Sequence, residues 1–177
     1  MVDVIMQVEP TNLVLTPYAM ARMSHHYFGM ASAYDDEAHR DSFLPRLYVL
    51  CVSIEVGLKA GILAHDCTAA AKDSLRKIGH SPTAALDRAE ALHAMSILSP
   101  EERAELGSIE PFFKRKDLEY FSGPMIHAAA TGFQDVPNVA KIQAAAQSVN
   151  AWLGQHDFFS NADVCSDSPG RSTFTIV

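Results

Sequence analysis

Three observations predict an all-α fold, a five-helix antiparallel bundle. The run from Phe43 to Ala64 is apolar nearly all round, broken only by Arg46, Ser53, Glu55 and Lys59; a helix of that kind belongs in the middle of a bundle, covered by others. Thr16-Pro17, Ser81-Pro82 and Ser99-Pro100 each join an N-cap residue to a proline at the first helical position, where a missing N–H costs nothing. Finally, Val139, Ile142, Ala146, Val149 and Leu153 recur at spacings of three and four, one face of a helix.

Taken in order, residues 1–15 form an N-terminal arm. Val2 to Val8 alternates imperfectly and is β-branched, as a short strand or extended arm would be, and Pro10 ends it. The first helix starts at Thr16-Pro17 and runs to about Tyr34, before the polar break Asp35-Asp36-Glu37. Asp41 or Ser42 caps the central helix, with Pro45 tolerated in its first turn. Within it Gly57 and Gly61 are four apart, a spacing that suits close helix packing, and Cys51 reads as a small core residue. A short polar connection leads to Ser81-Pro82 and a helix over 82–96, with Leu86, Ala89, Leu92 and Met95 or Ser96 inward. Ser99 and Glu102 make a capping box for a short helix ending near Gly107. Glu110 to Asp135, with Pro111, Gly123, Pro124 and Gly132, reads as a long loop. Pro137 opens the last helix, Trp152 points inward and Gly154 is its stop. The bundle thus covers 16–154 and a C-terminal tail covers 155–177, with a β-like end from Ser172 to Val177.

Composition narrows the function. One compact domain is the natural count for 177 residues. A formal net charge of -7 argues against a surface that coats nucleic acid in bulk, though not against a local basic patch. Three cysteines, odd in number and without a C-x-x-C, fit a reduced, cytoplasmic setting. No secretory signal is visible, and the charges inside the 43–64 helix argue against a membrane span. His25-His26 diverge on a helix and no H-x-x-x-H or H-E-x-x-H occurs, so no metal is expected. No cofactor is expected either.

Two stretches carry candidate chemistry. Gly79-His80 sits at a helix-to-helix turn: Gly supplies positive φ, and His80 is either a structural turn residue or a ligand contact. The segment Phe112 to Phe121 holds the densest basic cluster in an acidic chain. Lys114, Arg115 and Lys116 suit phosphates, and Tyr120 or Phe121 suits base stacking. The alternative is that its aromatics pack on the bundle and its charges are solvated.

With Glu55, Leu58 and Lys59, then Gly79-His80 and Leu86, followed by the Lys114-to-Tyr120 segment and the Pro137 helix, the chain resembles the HEPN-like family of helical domains from about Thr16 to Leu153. The resemblance implies a bundle that homodimerises, and Tyr27, Phe28 and Met30 of the first helix suit such an interface. It implies RNA or a nucleotide as ligand, and a nucleotidyltransferase or antitoxin as partner. Active ribonucleases of the family carry an Arg followed by a His after four to six residues, and here only Arg88 to His93 fits. Residues five apart lie roughly 140° round a helix, and Ala89 stands where the family usually has a polar residue, so efficient catalysis is not expected. Three functions follow in order: a HEPN-like dimeric module binding RNA, a nucleotide or a partner protein; a toxin-type metal-independent ribonuclease using Arg88 and His93; and a structural helical dimer with no small ligand.

Overall fold

A computed structural model describes residues 16–33, 43–66, 68–115, 118 and 138–155, and the fold of these residues is all-helical. They form α1 (Pro17–Ser32), α2 (Phe43–His65), α3 (Ala69–Ile78), α4 (Pro82–His93), α5 (Pro100–Lys114) and α6 (Val139–Gln155). The strands considered for Val2–Val8 and Ser172–Val177, the polar break at 35–37 and the caps Asp41, Ser42 and Pro137 lie outside the described residues.

The helix starts have the caps that the sequence predicts. The Thr16 hydroxyl accepts from Ala19 N at 3.1 Å and the Ser81 hydroxyl from Ala84 N at 3.3 Å. At α5 the capping box closes in both directions, Ser99 Oγ accepting from Glu102 N at 3.2 Å and Glu102 accepting from Ser99 N at 2.8 Å. Each such cap contributes about 1 kcal/mol.

Three helix boundaries differ from those expected. The connection after α2 contains a sixth described helix, α3, capped by Thr68, whose hydroxyl accepts from Ala71 N at 3.2 Å. Ala71, Leu75 and Ile78 face the core from it. Their spacing of four and three is easily lost among Lys72, Asp73, Arg76 and Lys77. Next, α4 stops at His93 because Ala94 adopts a left-handed conformation, φ 48°. The helical phase breaks there, so Met95 is exposed and Ile97 and Leu98 are buried in its place. The Glu90 carboxylate holds that turn by accepting from Ile97 N at 2.8 Å.

The third difference concerns α5, which runs past Gly107 to Lys114 with Pro111 inside it. An interior proline costs about 3 kcal/mol. Against it stand the burial of Ile109 and Phe113, each stabilising by about 1.5–3 kcal/mol, and the hydrogen bonds of Glu110. Glu110 to Lys114 is therefore helix rather than loop.

α2 is the centre. It is long and apolar enough to cross a membrane by length and composition, and here α1, α4 and α6 pack directly on it. Leu47, Leu50, Cys51, Ile54, Leu58 and Ile62 are buried along its length. Close approach is allowed by Gly57 and Gly61: a Cβ on the first would meet Ser24 Oγ and Val149, and one on the second would meet the Trp152 ring. Ser24 and Ser53 donate to each other's backbone carbonyls at 2.8 Å, and Asn150 Nδ2 donates to Ser53 Oγ at 3.2 Å. That buried polar clasp fixes the register of α1, α2 and α6, since an unmade buried hydrogen bond costs about 1–3 kcal/mol.

Candidate ligand-binding end

Three of the functional candidates, His80, Lys114 and Arg115, lie where the α3–α4 turn meets the end of α5. The arrangement starts on α2, where Glu55 and Lys59 share one face. Lys59 Nζ donates to Glu55 Oε1 at 2.5 Å and to the Gly79 carbonyl at 2.7 Å. That second bond requires the turn to present its carbonyl, and Gly79, at φ +57°, does so without a Cβ penalty. The following residue then lands beside the same carboxylate: His80 Nδ1 lies 3.2 Å from Glu55 Oε1 and 3.3 Å from Oε2.

A carboxylate only accepts, so Nδ1 is the protonated ring nitrogen in this contact. In the neutral ring, Nε2 remains an acceptor. The Glu55 side chain is 8% exposed and the His80 side chain 64%, so a buried anion orients a solvent-facing imidazole. The ring also meets Phe113 edge-on, centroids 6.2 Å apart, and Phe113 in turn contacts Tyr48 at 6.0 Å.

A second carboxylate ties the turn to α5. Glu110 accepts from Ser81 Oγ at 2.5 Å and from Thr83 Oγ1, and pairs with Lys114 Nζ at 2.5 Å. Burial pushes the Glu110 carboxyl up, but the hydrogen bonds from Lys114, Ser81 and Thr83 outweigh it and hold the group below its usual range. Arg115 follows at the helix C-cap, its guanidinium 5.5 Å from the centre of the Phe112 ring. Cations are favoured at this helix end by its partial negative charge.

Of the residues expected to bind ligand, His80, Lys114 and Arg115 are thus brought to one end of the fold. Lys116, Tyr120 and Phe121 lie outside the described residues, although Leu118 between them is buried in the core. The expectation that Lys114 and Arg115 ride on a loop is corrected: one ends α5 and the other caps it. Phe113 is core and Phe112 packs against it. Glu110, Ser81 and Thr83 were not singled out from sequence as site residues. The acid-first spacing of Glu110 and Lys114, the same as that of Glu55 and Lys59, was the available signal.

Arg88 and His93 sit elsewhere. Arg88 is exposed. The His93 ring is set against His65 and Trp152, with both centroids 5.2 Å away, and its Nε2 is 3.2 Å from the Gly61 carbonyl. Among the described residues, no three His, Cys, Asp or Glu side chains form a group that could hold a metal ion. No family model matches the chain, and no curated protein or solved structure matches it.

Proposed function

We propose that this chain is a HEPN-like helical bundle that homodimerises and binds single-stranded RNA or a nucleotide at the His80 end, without efficient catalysis. The observation that carries the proposal is convergence. Glu55, Lys59, Gly79 and His80, four of the residues on which the resemblance rests, form one connected contact set across 25 positions of sequence. Glu110 links that set to Lys114. Phosphate oxygens are the natural complement of Lys114 and Arg115, and a ribose hydroxyl or a base N–H is that of the exposed His80 Nε2. A dimer has its support in α1, where Met23 and Met30 are exposed and Tyr27 is half-buried. The ribonuclease alternative has less behind it, because the His93 ring is engaged in packing.

The test is fluorescence anisotropy with labelled single-stranded oligonucleotides and with a labelled nucleoside triphosphate, across a salt series. His80→Ala with Arg115→Ala should weaken binding for all sequences alike and lower the salt slope by about 0.7, for the one phosphate that Arg115 no longer neutralises. Unchanged affinity and slope would refute the site. Light scattering that shows a monomer at high micromolar concentration would refute the dimer. RNA cleavage by the parent, abolished in both Arg88→Ala and His93→Ala, would establish the ribonuclease instead.

A further inference from the structure

At the α3–α4 turn most polar side chains are already committed to the protein. Ser81 Oγ donates to Glu110 at 2.5 Å and accepts from Ala84 N at 3.3 Å, and Thr83 Oγ1 donates to the other Glu110 oxygen. Lys59 Nζ donates to Glu55 and to the Gly79 carbonyl. His80 differs. Its Nδ1–H is held by Glu55, whose side chain is 8% exposed, and the Phe113 ring meets the imidazole edge-on. Those two contacts orient the ring and leave Nε2, an acceptor in neutral imidazole, as the outward polar atom of a side chain that is 64% exposed. A cation stands beside this turn. Lys114 Nζ and Ser81 Oγ contact the same oxygen of Glu110, each at 2.5 Å, and Ser81 follows His80 in the chain.

Granted that this end binds single-stranded RNA or a nucleotide, as proposed above, we infer that His80 makes it selective for ribonucleotides over deoxyribonucleotides, its Nε2 accepting a hydrogen bond from a ribose 2′-hydroxyl while Lys114 and Arg115 hold the phosphate. Two features favour the sugar over a base edge as the partner of Nε2. Lys114 and Arg115 grip phosphate, which positions a ligand without reading its sequence. Every ribonucleotide so held carries a 2′-hydroxyl on the adjoining sugar, whatever its base, whereas a base N–H is present on some base edges only. In addition, base edges are distinguished by paired contacts, and neutral imidazole offers a single acceptor. One fixed acceptor suits a single O–H, and that O–H is the group by which a protein tells RNA from DNA.

The two parts of the site respond differently to salt. Affinity owed to Lys114 and Arg115 falls as salt rises, because phosphate neutralisation releases counterions. The bond to a neutral imidazole carries no net charge, so the preference for the ribose hydroxyl stays constant across the same salt series.

The experiment measures fluorescence anisotropy of the full chain at pH 8, where imidazole is neutral, with labelled oligonucleotides of one sequence made as RNA, 2′-fluoro RNA and DNA. The 2′-fluoro sugar keeps an RNA-like pucker and lacks the donor. The parent should bind RNA about 2- to 10-fold tighter than 2′-fluoro RNA, the worth of one neutral hydrogen bond, and should bind DNA no better than 2′-fluoro RNA. In His80→Asn an amide N–H replaces Nδ1–H toward Glu55 and nothing replaces Nε2, so the ratio should fall to about 1 through loss of RNA affinity. Equal binding of RNA and 2′-fluoro RNA by the parent, with both weakened by Arg115→Ala, overturns the hydroxyl contact and leaves the phosphate site standing. A ratio that survives His80→Asn overturns the role of His80. RNA binding that Arg115→Ala leaves unchanged overturns the site, and the sugar selectivity with it.

Discussion

Replacing Gly61 by Ala sets two opposed effects against each other. In an exposed helix interior, Gly→Ala stabilises by about 0.5–1 kcal/mol. At Gly61 the new Cβ would lie 2.0 Å from one ring carbon of Trp152 and 2.7 Å from another, where carbon atoms prefer about 3.5–4.0 Å. The obstacle is a rigid indole rather than the end of a flexible side chain. Trp152 is 3% exposed and backed by the His93 ring, so it has little room to retreat. Overpacking of this kind costs about 1–3 kcal/mol, and the depth of the overlap puts it near the top of that range. The net expectation is destabilisation by about 2 kcal/mol. Gly107→Ala is the control: it lies within α5 with nothing within 4 Å of its added Cβ, and should stabilise by about 0.5–1 kcal/mol. Urea unfolding at one fixed protein concentration measures both. Combining Gly61→Ala with Trp152→Leu should cost less than the sum of the two single changes by at least about 1 kcal/mol, because the clash and its partner disappear together. If Gly61→Ala were as stabilising as Gly107→Ala, the close approach of α2 and α6 would be wrong.

Two further predictions concern buried ionisable groups. Glu110→Gln should destabilise by about 1–3 kcal/mol at neutral pH, through loss of charge-assisted bonds to Ser81, Thr83 and Lys114. Because the folded carboxyl titrates below its ordinary 4.5, the Glu110 contribution is fully present above that value. It fades as pH falls through the folded value, so the variant should lose less stability than the parent between neutral and acid pH; equal losses would refute the assignment. Cys51 should resist thiol reagents in the native protein, since burial, assisted by the Glu55 charge, pushes its thiol far above the usual range. Peptide mapping separates it from Cys67 and Cys165, and native labelling of Cys51 as fast as in urea would overturn the buried placement.

The Glu55–Lys59–His80 contact set also bears on how the proposed site holds its shape. Removing one partner of a buried pair costs about 3–5 kcal/mol, because the remaining charge is left uncompensated. Lys59 is therefore a poor target for a binding assay, as its loss would release the Gly79 turn together with any ligand contact. His80 and Arg115 are solvent-facing and can be exchanged with less risk to the fold. Lys114 is intermediate: its ammonium is exposed, yet it neutralises Glu110.

The sequence by itself determined the helical class, the starts of α1, α4 and α5, and the central place of α2. Those features are local: a cap is a hydrogen bond within four residues, and an all-round apolar run has only one place to go. It also located Gly79-His80 and the basic stretch at Lys114 as separate candidates. Tertiary structure alone decided that they meet. Glu110 bridges 29 positions to Ser81 and Glu55 bridges 25 to His80, and no periodicity encodes a pairing at such distance. It likewise decided the length of α5, where Pro111 is a strong local stop signal but burial of Ile109 and Phe113 is a larger effect that only the packed core supplies. The short α3 depended on its neighbours in the same way. Few residues of one apolar stripe cannot hold a helix in water, and Ala71, Leu75 and Ile78 do so here because the rest of the core is there to receive them.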